Sequence, residues 1–214
     1  MANLTTTDEI FVIDFGEDEN VTTDSWAVEM HALLDEVEAA EGPKVLVTTG
    51  SGKHYSNGLD VAYMALAEMD EIAAYVERIE EVVSRIMLFP APTVAAVNGH
   101  AFGLGAFVVL AHDQAVMRED RGFFCLPEVH LQMSFPRSLM SLLKSTLSNA
   151  TRRQAVLTGR RFSGPECAEA GIVDAVAPAE GLVEAAIAMG RPHGGTAGAN
   201  LAVIKRQLFA GFGE

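Results

Sequence analysis

Three short runs rich in apolar and β-branched residues, Lys44–Thr49 (KVLVTT), Thr93–Val97 (TVAAV) and Gln114–Arg118 (QAVMR), recur along the chain with helical patterning between them. Parallel strands cannot be joined by tight turns and need crossovers of a dozen residues or more. The alternation therefore predicts βαβ units and an α/β fold on a parallel sheet. Such sheets put their functional loops beyond the carboxyl ends of the strands. Two polar, glycine-bearing stretches, 50–58 and 98–105, leave strands at that end. They are the first places to look for chemistry.

The flanking pattern fits this frame. Ile10–Phe15 (IFVIDF) predicts a further strand, and Thr23 or Asp24 can cap a helix through Trp26, Met30, Leu33, Leu34 and Val37. Gly42-Pro43 ends that helix. Asp70 opens a long amphipathic helix with Ile72, Val76, Ile79, Val83 and Ile86 on one face, closed by Pro90 and Pro92. A short apolar helix is expected at Ala106–Ala111 and an extended piece at Phe123–Leu126. Beyond Pro136 the pattern is helical at Ser138–Leu147, Thr151–Leu157, Gly164–Ala170, Gly181–Met189 and Ala197–Phe209, interrupted by a strand at Ile172–Ala177. Read as domains, 1–190 form the core with its flanking helices and 191–214 a short helical tail.

Charge and cysteine content exclude several classes of function. The 214 residues carry a formal charge of −14, unevenly placed: residues 1–90 hold 19 acids against 4 bases, the remainder 10 against 11. A sequence-independent nucleic-acid binder needs a basic surface to displace counterions, so nucleic acid is not expected as a partner. The longest nearly apolar run, Ala101–Ala111, is too short to span a bilayer, and no membrane association is expected. Met1–Asp8 shows no secretory signal and the terminal Gly-Phe-Gly-Glu no peroxisomal address. Cys125 and Cys167 make no disulfide framework, and the histidines show no zinc spacing. These features favour a reducing, cytoplasmic compartment and argue no metal site.

Several familiar motifs fail. Gly50-Ser51-Gly52-Lys53-His54 lacks the spacing and the hydroxyl of a phosphate loop, Gly103-Leu104-Gly105 lacks the third glycine of a dinucleotide fingerprint, and no G-x-S-x-G elbow occurs. What remains are two turns whose amides could converge. Ser56-Asn57-Gly58 turns tightly after a strand, and Gly103-Leu104-Gly105 opens a helix, where free N–H groups favour negative charge. Two such donors about 3 Å from one carbonyl oxygen form an oxyanion hole, each worth roughly 3 kcal/mol of barrier. Read structurally, both are tight turns that need glycine. Glu128 is the one acid in Phe123–Val129, where apolar surroundings would raise its pKa and suit it to proton transfer. It could equally be an exposed residue that opens a helix.

Taken in order, these segments resemble the crotonase (enoyl-CoA hydratase/isomerase) superfamily, from about Ile10 to Glu184. The stretches that carry the likeness are His54–Asp60 (HYSNGLD), Pro92–Ala101 (PTVAAVNGHA), Leu126–Val129 (LPEV), Leu157–Ser163 (LTGRRFS) and Ala168–Asp174 (AEAGIVD). The Ser-Asn-Gly-Leu-Asp form and Met117–Gly122 (MREDRG) are most similar to Δ3,Δ2-enoyl-CoA isomerases. The resemblance implies a ββα spiral core with a helical C-terminal region, shortened here. It also implies that the amides of Asn57 and Leu104 hold an acyl thioester oxygen, and that Glu128 is the catalytic acid/base. Lys53, His54, Tyr55, Gly58, Asp60, Gly103, Phe107 and Pro127 would line the site for the acyl-CoA substrate. Coenzyme A would enter as part of the substrate, with no separate cofactor.

The same resemblance sets one glutamate of the hydratases at Phe107, which cannot hold water. Hydration needs an activated water, whereas isomerisation needs a single base that takes a proton and returns it elsewhere. The expectation is therefore isomerisation of a 3-enoyl-CoA to the 2-enoyl isomer. Other acyl-CoA enolate chemistry (hydration, thioester hydrolysis or decarboxylation) and a non-catalytic acyl-CoA-binding role are the alternatives. The family implies a homotrimer or hexamer.

Overall fold

The computed structural model describes residues 2–210. In chain order the elements are β1 (Asn3–Thr7), β2 (Ile10–Asp14), β3 (Val21–Thr22), α1 (Asp24–Ala39), β4 (Val45–Thr49), β5 (His54–Ser56), β6 (Gly58–Leu59), α2 (Val61–Met64) and α3 (Met69–Met87). There follow β7 (Thr93–Val97), β8 (His100–Phe102), α4 (Leu104–Leu110), β9 (Gln114–Arg118), β10 (Phe124–Cys125), α5 (Glu128–Leu131), α6 (Arg137–Thr146) and α7 (Asn149–Thr158). The chain closes with α8 (Gly164–Glu169), β11 (Ala175–Ala177), α9 (Leu182–Gly190) and α10 (Ala199–Leu208). Residues 211–214 of the expected tail lie outside the described residues.

The main sheet has the order β1-β2-β4-β7-β9-β11, and only the β1–β2 hairpin is antiparallel. Each strand of its centre hands over, within a few residues, to a short strand of a second sheet. Thus β4 is followed by β5, β7 by β8 and β9 by β10, and these three pair in parallel in the order β10-β8-β5. A helix follows each pair, so the chain advances as a spiral of ββα units, the fold the resemblance implied.

Local chemistry explains the major elements. Thr23 caps α1, its Oγ1 accepting the Trp26 N–H at 3.1 Å. Glu68 and Glu71 form a reciprocal capping box at the start of α3. Side chains of the central strands alternate: Val45, Val47, Val94 and Ala96 meet Leu182 and Ala186 of α9. Leu46, Ala95 and Val97 join the larger core with α1, α3 and α4.

Departures from the sequence reading are local. The stretches 50–58 and 98–105 are not plain loops, because they contain β5, the start of β6 and β8. Strands of two or three residues leave no detectable period, and their partners are remote in sequence. The edge strand β1 reads as polar (NLTTT) and is largely exposed, so nothing in its pattern announces it. The helix expected at 106–111 starts two residues earlier, and the strand at 172–177 shrinks to Ala175–Ala177.

The terminal helix is latched by a buried cation. Lys205 is 3% exposed, and its Nζ donates to the Ala91 carbonyl at 3.0 Å and the Asp113 carboxylate at 2.6 Å. That carboxylate also accepts the Thr93 N–H at 2.8 Å, which ties α10 to the entry of β7. Removing the cation leaves a half-satisfied carboxylate. Lys205→Met is expected to lose about 3 kcal/mol of stability, read as a lower urea midpoint with unchanged slope. A loss below about 1 kcal/mol would mean that apolar packing alone holds α10.

Candidate active site

Parallel strands in register finish side by side. Ser56 and Phe124 both pair with Ala101, and Cys125 pairs with Phe102. The residues just past the ends of β5, β8 and β10 therefore meet: Gly58, Gly103-Leu104 and Pro127-Glu128. Contact here is backbone to backbone. A methyl group on Gly58 (φ +82°) would lie 2.5 Å from the Phe102 carbonyl oxygen and 3.0 Å from the Leu104 nitrogen. One on Gly105 would lie 2.3 Å from the Ser56 carbonyl oxygen. Only hydrogen fits at either position, for a physical reason beyond turn formation.

Glu128 opens α5 and yet is buried, so both readings of it hold in part. A methyl group placed on Gly103 would be 3.5 Å from its Oε1, so the carboxyl faces that turn. Its Oε2 is buried and has no partner among the described residues. Burial pushes the carboxyl up to about 7 from 4.5, opposed only by its own backbone N–H. No neighbouring charge contributes. A lone carboxyl that titrates near neutrality is suited to take up and return a proton.

Of the two expected amide donors, one is available and one is not. The Leu104 N–H opens α4 and finds no acceptor among the described residues. The Asn57 N–H instead donates to the Glu19 carbonyl at 2.9 Å, so the expectation for Asn57 is corrected: that amide is already committed. Its neighbours are informative. The Gly58 N–H donates to Ser56 Oγ at 3.2 Å, itself bonded to the Asn20 carbonyl, and the Asp60 N–H donates to the Tyr75 hydroxyl at 2.8 Å, itself bonded to the Thr22 carbonyl. Both amides face the β3 side. Successive groups of an extended chain alternate in direction, so the Leu59 N–H between them turns the other way. The sequence reading passed over Leu59; the alternation after a left-handed glycine is the signal that finds it.

The remaining expected residues are spread out. Phe107 lies one turn along α4, fully buried, with its ring edge-on to Phe135 at 5.8 Å. Pro127 precedes Glu128 as the N-cap of α5. The Tyr55 side chain is fully buried with its hydroxyl on Thr48, so it does not contact a ligand, which corrects that expectation. The Asp60 carboxylate caps α2 by accepting the Tyr63 N–H at 2.9 Å. Lys53 and His54 sit at the opposite end of β5, where His54 meets His100 at 5.2 Å. Burial lowers the pKa of both histidines, helped by the nearby cations Lys53 and Arg121 and, at His100, Arg161. Two surface hollows of about 710 and 790 Å³, beneath α10 and beside Trp26, touch none of these groups.

Residues 5–212 match the family model for enoyl-CoA hydratase/isomerase. The chain belongs to this family. Enoyl-CoA delta isomerase 3 of Arabidopsis thaliana is 33% identical over 198 residues, covering 89% of this chain and 83% of that protein. Peroxisomal enoyl-CoA delta isomerase 2 of the same plant is 37% identical over 154 residues, 68% of this chain and 64% of that one. Among solved structures, a probable enoyl-CoA hydratase of Mycobacterium tuberculosis superposes with a TM-score of 0.87 at 25% identity, over 98% of this chain and 88% of that one. The ββα spiral is thus the fold of an enoyl-CoA hydratase/isomerase family enzyme. Among the described residues no helix is long and apolar enough to cross a membrane.

The buried carboxyl has a consequence for stability. The folded protein holds the Glu128 proton to about pH 7, whereas an unperturbed glutamate loses it near 4.5. In that window the folded state binds more protons, so this group lowers stability as pH rises. Glu128→Gln should therefore be more stable than the wild type above pH 7, by on the order of 3 kcal/mol, with no gain below pH 4.5. Denaturation midpoints of both proteins from pH 4 to 8 test this. Parallel curves would show that Glu128 is solvated.

Proposed function

We propose that the protein isomerises 3-enoyl-CoA thioesters to their 2-enoyl isomers, with Glu128 as sole acid/base. The observation that carries this reading is the isolated, buried Glu128 carboxyl, raised to about 7, facing the turn that bears the free Leu104 N–H. The ionised carboxylate removes a C2 proton from the substrate. Charge develops on the thioester oxygen, where the amides of Leu104 and Leu59 are the proposed donors. Glu128 then returns the proton to C4 and the double bond moves into conjugation. Atoms balance without water or any second reactant.

Phe107 supports isomerisation over hydration. A phenyl ring packed on Phe135 stands one helical turn beyond Leu104 and can neither hold nor deprotonate water. Gly58 and Gly103 let backbone approach the thioester, with Pro127 and Phe107 on the acyl side. Lys53 and His54 are proposed to meet the phosphates of coenzyme A, supported by the local gathering of Lys53, Arg121 and Arg161 in an otherwise acidic chain. Asp60 contributes by capping α2. The two buried free thiols, Cys125 and Cys167, support a reducing compartment. An assembly of three or six copies belongs to the same reading.

Supplied with a 3-enoyl-CoA, the enzyme should produce the conjugated 2-enoyl thioester, seen as rising absorbance without change of mass. A hydrated, hydrolysed or decarboxylated product would overturn the assignment. Binding without turnover would favour a non-catalytic role. Activity should rise with pH as Glu128 ionises, with kcat/KM reaching half its plateau near pH 7. Glu128→Gln should lower kcat by roughly 10²–10⁴-fold, and an active variant would remove Glu128 from the mechanism.

A further inference from the structure

A buried polar chain runs behind the site. His112, just past the end of α4, has its Nδ1 2.7 Å from the Val108 carbonyl oxygen. A carbonyl only accepts, so Nδ1 carries the proton and Nε2 of the neutral ring is an acceptor. Thr48 Oγ1 lies 2.9 Å from Nε2 and must donate to it. The Tyr55 hydroxyl, 2.6 Å from Thr48 Oγ1, donates in turn. The direction is therefore unique, from Tyr55 through Thr48 and His112 to Val108, and every hydroxyl and ring proton in it is used. All three side chains are buried, with Tyr55 and Thr48 at 0% exposure. Burial also holds the imidazole near 4, well below its usual value, which keeps the ring neutral and the Nε2 acceptor intact.

We infer that Tyr55, Thr48 and His112 are positioning residues that set the placement of α4, and through it the Leu104 N–H, relative to the strand that leads to Leu59. The inference rests on the function proposed above. Helix α4 (LGAFVVL) is entirely apolar and buried, so none of its own side chains can fix its placement by a hydrogen bond. Its two ends are held by a steric contact and a hydrogen bond. At the first turn Gly105 abuts the backbone of Ser56, and at the last the Val108 carbonyl is held by His112. Ser56 and Tyr55 are consecutive residues of β5, so both grips are referenced to one strand. Seven residues span only about 10 Å; a displacement at the His112 end therefore reaches Leu104 almost undiminished. Misplacing a donor by about 1 Å can lower a rate roughly 10²-fold.

Thr48→Val keeps the shape of the side chain and removes its oxygen, while Thr48→Ser keeps the oxygen. Thr48→Val is expected to lower kcat on a 3-enoyl-CoA by about 10-fold or more with KM within about twofold of wild type. Thr48→Ser should restore kcat to within about threefold. Tyr55→Phe, which removes only the outermost hydroxyl, is the milder second variant should Thr48→Val not fold. A second readout is the infrared carbonyl band of a bound saturated acyl-CoA, which reports hydrogen bonding to the thioester oxygen whatever the turnover. It should be shifted down in wild type and less so in Thr48→Val. A folded Thr48→Val with a lower melting temperature but wild-type kcat and carbonyl band would overturn the positioning role and leave the proposed function standing. An unshifted band in wild type would overturn the amide donors, and the positioning role with them.

Discussion

The contact between the first turn of α4 and the end of β5 is the constraint on which the site depends. Gly105 lies so close to Ser56 that any side chain would overlap its carbonyl, and Gly58 is equally close to Phe102 and Leu104. This approach brings two chain reversals, about 45 residues apart in sequence, to one point. Glu128 joins them because β10 pairs with β8 in the same parallel register. The geometry of the candidate site is thus a property of three equivalent strand ends, and no single loop builds it alone.

Electrostatics sharpen the same picture. The protein is strongly acidic, but its excess of acids falls in residues 1–90, and Glu128 stands apart from them. No neighbouring charge contributes to its shift, so removal from water alone raises its pKa. Where a hydratase would use a second carboxylate, Phe107 packs against Phe135. In the proposed mechanism this ring denies a position to water.

Much of this was legible in the residues. The strands at 45–49, 93–97 and 114–118 follow from β-branched and apolar runs, and the N-cap at Thr23 and the end of α3 ahead of Pro90 from ordinary terminus chemistry. Glu128 and Leu104 stood out because an acid in an apolar stretch and a glycine-flanked turn before a helix are both local signals. Asn57 was a misreading. Its motif is local, but the direction of its N–H depends on Glu19, 38 residues away. Leu59, the second proposed donor, was passed over for the same reason, since amide direction follows from pairing with β3. The resemblance set Tyr55 among the ligand contacts, and the alternation of β5 turns it inward to Thr48.

Sequence alone determined the longer strands and most of the helices, because these depend on hydrophobic period and terminus chemistry, and its motifs carried the resemblance that singled out Glu128. Tertiary structure decided which amides are free, which hydroxyls are spent, and that Thr48 and His112, unremarked in the sequence, meet at all. Hydrogen bonds saturate: a donor already bonded to a distant carbonyl has nothing left for a ligand. Whether it is so bonded depends on segments that only folding brings together.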